Sequence, residues 1–269
     1  MHWQRYYPCS YNMIVDTHTH ISSNYNEKDR ADIEILIGHT LEEAKKAIEI
    51  SKTNKHVFAT CGLYPHDIIP ENEISDQEKI KIIKELAKNE KVIAIGECGF
   101  DFTNPRLPEI KRSKDDQIPL FISQIEIARE LKLPIVIHSR IATDETIDLL
   151  RREIRQAEFP AVWHCFTENY DIAKKALDLG LMLSITGIIT YKNTSDLRDV
   201  IRKVPIERIM LETDSPYLVP ESERKAGIKV NSSKYVKLIA QEIAEIKGIS
   251  QQIVEDKTTE NAFAFFKLK

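Results

Sequence analysis

Apolar residues recur along the chain in short runs separated by longer amphipathic stretches. The runs that read as strands are Met13–Val15, Ile33–Ile37, Val57–Thr60, Val92–Ile95, Ile135–Ile137, Ala161–Trp163, Leu181–Ile185 and Arg208–Leu211. They are rich in Ile and Val and do not alternate cleanly with polar residues, the pattern of parallel strands covered on both faces. Between them lie helices with start signals. Thr40-Leu-Glu-Glu43 is a capping box opening 41–52, where Leu41, Ala44, Ala47 and Ile48 share a face. Ser75-Asp-Gln-Glu78 opens 76–88, and 114–132 carries Ile118, Phe121, Ile122, Ile125 and Ala128 along one stripe. Further helices fit 143–157, 169–179, 194–203, 232–247 and a terminal stretch near 258–267. Eight strands alternating with helices, their starts about 28 residues apart, predict an α/β chain folded as one (β/α)₈ barrel domain over 13–269. A doubly wound sheet would have fewer strands and a Gly-rich first turn, and neither GxGxxG nor GxxxxGK[ST] occurs. Residues 17–32 are too polar and short for a full packing helix. The first βα connection is therefore expected to shrink to a turn or two, leaving that corner open to substrate.

Composition narrows this picture. The 269 residues are 42% hydrophobic with no apolar run near the ~18 residues a membrane span needs. Four cysteines (Cys9, Cys61, Cys98, Cys165) form no CxxC pair and are too few for a disulfide scaffold, so reduced thiols in a cytoplasmic protein are expected. Met1 to Asn12 is aromatic and polar, without the apolar core of a secretory leader. It reads as an extension upstream of a natural start at Met13, an ordered arm being the rival reading. A net charge of -4 weighs against binding along a nucleic-acid duplex.

In a (β/α)₈ barrel reactive residues gather at the C-terminal strand ends. There the chain places Asp16-Thr-His18-Thr-His20, Gly62-Leu-Tyr-Pro-His66-Asp67, Gly96-Glu97-Cys98-Gly99-Phe100-Asp101, His138-Ser139-Arg140, His164-Cys165-Phe166 and Glu212-Thr213-Asp214. Five of eight histidines fall in these places, His2, His39 and His56 being left outside. His18 and His20, two apart on an extended segment, point to one side. With Glu97, His138, His164 and Asp214 they make six N/O ligands. One catalytic zinc usually needs three, and six suffice for two ions bridged by a carboxylate, for which Glu97 is the natural choice. Cys165 and Cys98, beside ligands on their strands, are expected to point outward into packing. Asp16 and Asp101 are expected to orient ligands rather than bind metal. Arg140 can pair with Asp144 across the next helix turn.

These motifs, with Thr213-Asp214-Ser-Pro-Tyr217 and Asn261-Ala-Phe near the end, resemble the TatD family of metal-dependent deoxyribonucleases over about residues 13–266. The resemblance implies an amidohydrolase-like TIM barrel in which His18, His20, Glu97 and Asp214 hold one ion and Glu97, His138 and His164 the other. It implies that His66 and Arg140 contact substrate phosphate, with Glu97 and Asp214 catalytic. The expected activity is hydrolysis of DNA phosphodiesters, from 3′ ends of single strands, with two divalent ions (Mg, Mn or Zn) and no obligate protein partner. The same site would also suit an ester or amide hydrolase such as a D-aminoacyl-tRNA deacylase. The chain departs from the family pattern at Glu168, at Asn231-Ser-Ser, and at Tyr64, where a frequent His is replaced and one polar group is expected to be lost from the rim.

Overall fold

The computed structural model describes residues 13–21, 30–66, 74–103 and 112–268. The extension before Met13 and the shortened first connection fall largely outside these residues. Eight strands, β1 (Val15–Thr19), β2 (Ile33–Leu36), β3 (Val57–Cys61), β4 (Val92–Asp101), β5 (Ile135–Arg140), β6 (Ala161–Trp163), β7 (Met182–Ile185) and β8 (Ile209–Leu211), form one parallel sheet in sequential order. A parallel bridge between Thr19 and Ser215 joins the two edges. Asp214 N–H donates to the His18 carbonyl at 2.9 Å and His20 N–H to the Ser215 carbonyl at 2.7 Å, so the sheet closes at a β1–β8 seam. The (β/α)₈ barrel expected from strand spacing is the observed fold.

The helices are α1 (Leu41–Thr53), α2 (Asp76–Leu86), α3 (Lys114–Leu131), α4 (Thr143–Gln156), α5 (Tyr170–Asp178), α6 (Ser195–Lys203), α7 (Glu221–Lys225), α8 (Val236–Lys247) and α9 (Gln251–Phe266). Both expected capping residues act: Thr40 accepts from the Glu43 amide, and Ser75 forms a full reciprocal box with Glu78. The apolar strand runs explain themselves by having two faces to cover. Val15, Ile33, Ile35, Ala94, Val136, Val162 and Met210 form one buried cluster, which Ala262 and Phe266 of α9 join. Leu36, Ala59, Ile95, Ile137 and Leu183 belong to a second cluster shared with the surrounding helices. Helix α9 is fixed near the strand N-termini by Asn261, whose side-chain amide donates to the Ile206 and Ile209 carbonyls at 2.8 and 2.7 Å. No helix among the described residues is long and apolar enough to cross a membrane.

Three strands run further than the apolar pattern predicts. β1 continues through Asp16, Thr17, His18 and Thr19, β4 through Glu97 to Asp101, and β5 through His138 to Arg140. Their polar ends are strand, not loop. All five residues of β1 and all ten of β4 are buried, because the barrel mouth encloses them.

Candidate metal centre

The β1–β8 seam sets the first half of the site. His18 Nε2 and His20 Nε2 stand 3.2 Å apart. Asp214 Oδ1 lies 3.7 and 3.2 Å from them, and Glu97 Oε2 3.5 and 3.9 Å. Both imidazole nitrogens thus have both carboxylates within 4 Å. Ligands around a tetrahedral ion at ~2.1 Å sit about 3.4 Å from each other, close to the spacings within the group His18, His20 and Glu97. The far nitrogens of His18 and His20 are buried with no hydrogen-bond partner among the described residues. Burial and the neighbouring His164 imidazole, stacked at 3.5 Å between centroids, pull the His18 pKa down. A neutral imidazole is the form a metal requires.

The other Glu97 oxygen serves the second half. Glu97 Oε1 is 2.5 Å from His138 Nδ1 and 3.6 Å from His164 Nε2. His18, His20 and Glu97 form one group able to hold an ion, and Glu97, His138 and His164 another. His18, His164 and Asp214 also converge. Burial pushes the Glu97 carboxyl up, but the imidazoles of His164 and His138 outweigh it and hold the group well below the usual range. The same contest, won by His20 and the other imidazoles, keeps Asp214 ionised. The structure therefore brings together all six residues expected to be ligands.

The surrounding carboxylates hold these groups in place. Asp16 Oδ1 accepts from the Thr213 and His18 amides, at 2.9 and 3.2 Å, fixing β1 to the end of β8. Burial raises its carboxyl to about 8. Asp101 accepts from the Tyr64 hydroxyl at 2.6 Å and stands 3.6 Å from His138 Nε2. Glu212 was not singled out by sequence reasoning, although it lies in the quoted strand-8 run. It is buried 2.9 Å from His164 Nδ1 and accepts from the Cys165 amide at 2.6 Å. Burial lowers the His164 pKa, but the Glu212 and Glu97 carboxylates prevail and hold it up at about 10.

A cavity of about 540 Å³ opens over the cluster. His39, Tyr64, Arg140, Cys165 and Tyr217 line it alongside His20, Glu97, His138, His164 and Asp214. Several expectations change here. Tyr64 adds a polar group rather than removing one, since its hydroxyl also lies 3.1 Å from His138 Nε2. Cys165 does not point outward into packing: β6 ends at Trp163, Cys165 adopts a left-handed backbone (φ 47°), and it lines the cavity. Cys98 packs in the core as expected. His39 was left outside the residues gathered at strand ends, yet it follows β2 by three residues, packs edge-on to His20 at 4.9 Å and stands 2.9 Å from Glu43. The strand-end rule would have found it. Arg140 is exposed at the cavity and forms no ion pair with Asp144. His66 lies outside the cavity lining, its Nδ1 accepting from the Arg112 amide at 3.3 Å and its Nε2 3.8 Å from Asp101. Glu168 accepts from Thr143 at 2.9 Å, and the buried Asn231 donates to the Thr213 carbonyl at 2.9 Å.

Comparison with known proteins places this geometry. A hydrolase from Bacillus subtilis, the uncharacterized metal-dependent hydrolase YabD, is 33% identical, the match covering 95% of this chain and all of that one. The 3′-5′ ssDNA/RNA exonuclease TatD of Klebsiella pneumoniae is 32% identical over 86% of this chain and 85% of its own. Among solved structures, the Escherichia coli TatD homolog YJJV superposes with a TM-score of 0.82 at 22% identity, covering 95% of this chain and 98% of that one. The model of the family described as TatD related DNase matches residues 15–267. With its barrel, its clustered ligands and this match over nearly its whole length, the chain belongs to the TatD family of metal-dependent hydrolases.

Proposed function

We propose that the protein is a deoxyribonuclease that removes nucleotides from 3′ ends of single-stranded DNA, using two divalent ions held by His18, His20, Glu97 and Asp214 and by Glu97, His138 and His164. The observation that carries this reading is the convergence of two imidazoles and two carboxylates at 3.2–3.9 Å, with the second Glu97 oxygen turned to two further imidazoles. Divalent ions held there supply Lewis acidity at the phosphoryl oxygens and acidify the attacking water. The family's exonuclease relative supports the substrate class.

The chain's own groups do the rest. Asp214, ionised and at the cavity, takes the proton of the attacking water. Water oxygen bonds to phosphorus, the bond from phosphorus to the 3′ oxygen breaks, that oxygen takes a proton from solvent to become a hydroxyl, and the released nucleotide keeps a 5′ phosphate. Arg140, exposed at the cavity edge, presents its planar fork to a non-bridging oxygen. Glu97 and Glu212 hold the imidazoles in register. His66, turned toward Asp101, steadies the mouth and meets a phosphate only at its edge.

The test is a panel with Mg, Mn and Zn on a 3′-labelled single-stranded oligonucleotide, a nitrophenyl phosphodiester and a D-aminoacyl-tRNA. Release of the 3′ label is expected. Glu97→Gln and His138→Ala should abolish it while circular dichroism remains that of the parent. Retained oligonucleotide cleavage in either variant, or turnover confined to the aminoacyl ester, overturns the reading.

A further inference from the structure

A second hollow, of about 450 Å³, lies beside the candidate centre and shares the wall residue Leu218 with its cavity. Arg224, Lys225 and Lys229 line it against one acidic lining residue, Glu221. This local excess of two positive charges stands out on a chain whose net charge is -4. Two features show that the hollow is built rather than a run of solvated lysines. The Arg224 guanidinium lies 4.9 Å over the Tyr191 ring, a flat cation–π platform. The segment carrying it is fixed to the turn at Gly187–Thr190: the Tyr191 hydroxyl donates to the Val219 carbonyl at 3.1 Å, and the Glu221 amide donates to Thr190 Oγ1 at 2.8 Å. Tyr217, 59% exposed, lines the cavity over the centre and directly precedes the shared Leu218, its ring 5.8 Å from His20.

We propose that this hollow is a second nucleotide subsite, which takes the phosphate next to the one being cleaved, with its base resting on the Arg224–Tyr191 platform or on Tyr217. The proposal rests on the nuclease reading above for its substrate and extends it from one phosphate to a short strand. Single-strand recognition needs cations that track the backbone and flat faces on which bases stack, and both occur here side by side. The wall shared at Leu218 places the two hollows in succession along one strand. Lys225 and Lys229 contribute charge without base readout, so the subsite favours no sequence.

The test compares the full-length protein with the double variant Lys225→Gln/Lys229→Gln, both changes being at exposed positions. The probe is a 5′-fluorescein, phosphorothioate-linked hexathymidylate that resists cleavage, followed by anisotropy from 50 to 200 mM NaCl. Affinity at low salt should fall roughly 10-fold, and the salt dependence should flatten by about 1.4 log units per decade, two single-strand phosphate contacts. Hydrolysis of bis(4-nitrophenyl) phosphate, too small to reach the hollow, should stay within twofold of the parent. Unchanged probe affinity and salt slope, equal losses on both substrates, or no probe binding by the parent protein each overturn the subsite. If the parent binds with the expected slope but cleaves no phosphodiester, the subsite stands and the nuclease reading falls. If it cleaves and the variant matches it, the reverse holds.

Discussion

Glu212→Gln isolates a carboxylate that touches no proposed substrate and yet should govern metal binding. Glu212 Oε1 lies 2.9 Å from His164 Nδ1, on the ring side away from Glu97. Two full charges at that distance, at an effective dielectric near 20, interact by about 6 kcal/mol. An imidazole bound to an ion through Nε2 carries only part of a positive charge, so a quarter to a half of that figure survives. The resulting ~1.5–3 kcal/mol matches the 10–100-fold loss typical of removing such a partner. Glutamine keeps the shape and can still accept from the Cys165 amide, so the turn after β6 should hold. The assay is calorimetric titration of Mn or Zn into stripped protein, with thermal melts as the fold control. Weakening of about 10–100-fold in the site that contains His164, with little change in the melt, is expected. Affinity within twofold of the parent would refute the argument, because Glu212 would then be only a backbone acceptor.

Other outcomes follow from the same geometry. A Cβ on Gly99 (φ 145°) would stand 2.0 Å from the His138 carbonyl oxygen, whereas one on Gly180 (φ 87°) meets nothing within 4 Å. Gly99→Ala should cost about 4 kcal/mol, lowering Tm by roughly 8–16 °C, against ~1–2 kcal/mol for Gly180→Ala, and calorimetry that found equal losses would sink the comparison. The His164 imidazole, held at about 10, must lose its proton to ligate, so metal affinity should rise with pH between 6.5 and 10. The same raised value stabilises the metal-free fold fully below pH 6.5, and that contribution is lost as pH climbs through 10. Isothermal titrations in two buffers of different ionisation enthalpy would reveal the released proton, and buffer-independent heats would contradict it. Burial pushes the Cys61 thiol up to about 12 and raises that of Cys98 as well. Iodoacetamide at pH 8, read by peptide mass spectrometry, should leave both unmodified until the protein unfolds.

How far the sequence carried depended on what each residue faces. Strands such as β2, β3 and β6 were legible because they are mostly apolar and a helix capped by a side chain follows each. The ends of β1, β4 and β5 were less so, because Asp16, Glu97 and His138 are polar and end the apolar runs, although the barrel mouth encloses them. Helix α9 begins at Gln251, capped by Ser250, earlier than the expected 258. Its first half is polar with few apolar positions to mark a stripe. The five-residue α7 has no buried side chain, so no periodicity could announce it. The six candidate ligands were visible because their types are costly to bury without a partner. Glu212 escaped because its role depends on its distance to His164, which spacing along the chain does not encode, whereas His39, three residues past β2, was within reach of the strand-end rule and was passed over. Cys165 was misplaced because strand alternation was carried two residues past the end of β6.

The seam between the first and last strands bears on when the protein can act. His18 and His20 leave the ribosome early, but the carboxylate that completes their cluster is residue 214, and its amide must reach the His18 carbonyl to close the barrel. A nascent chain lacking β8 has neither the fourth donor nor a closed mouth. Assembly of the candidate centre therefore waits until residue 214 has been made and the barrel can close.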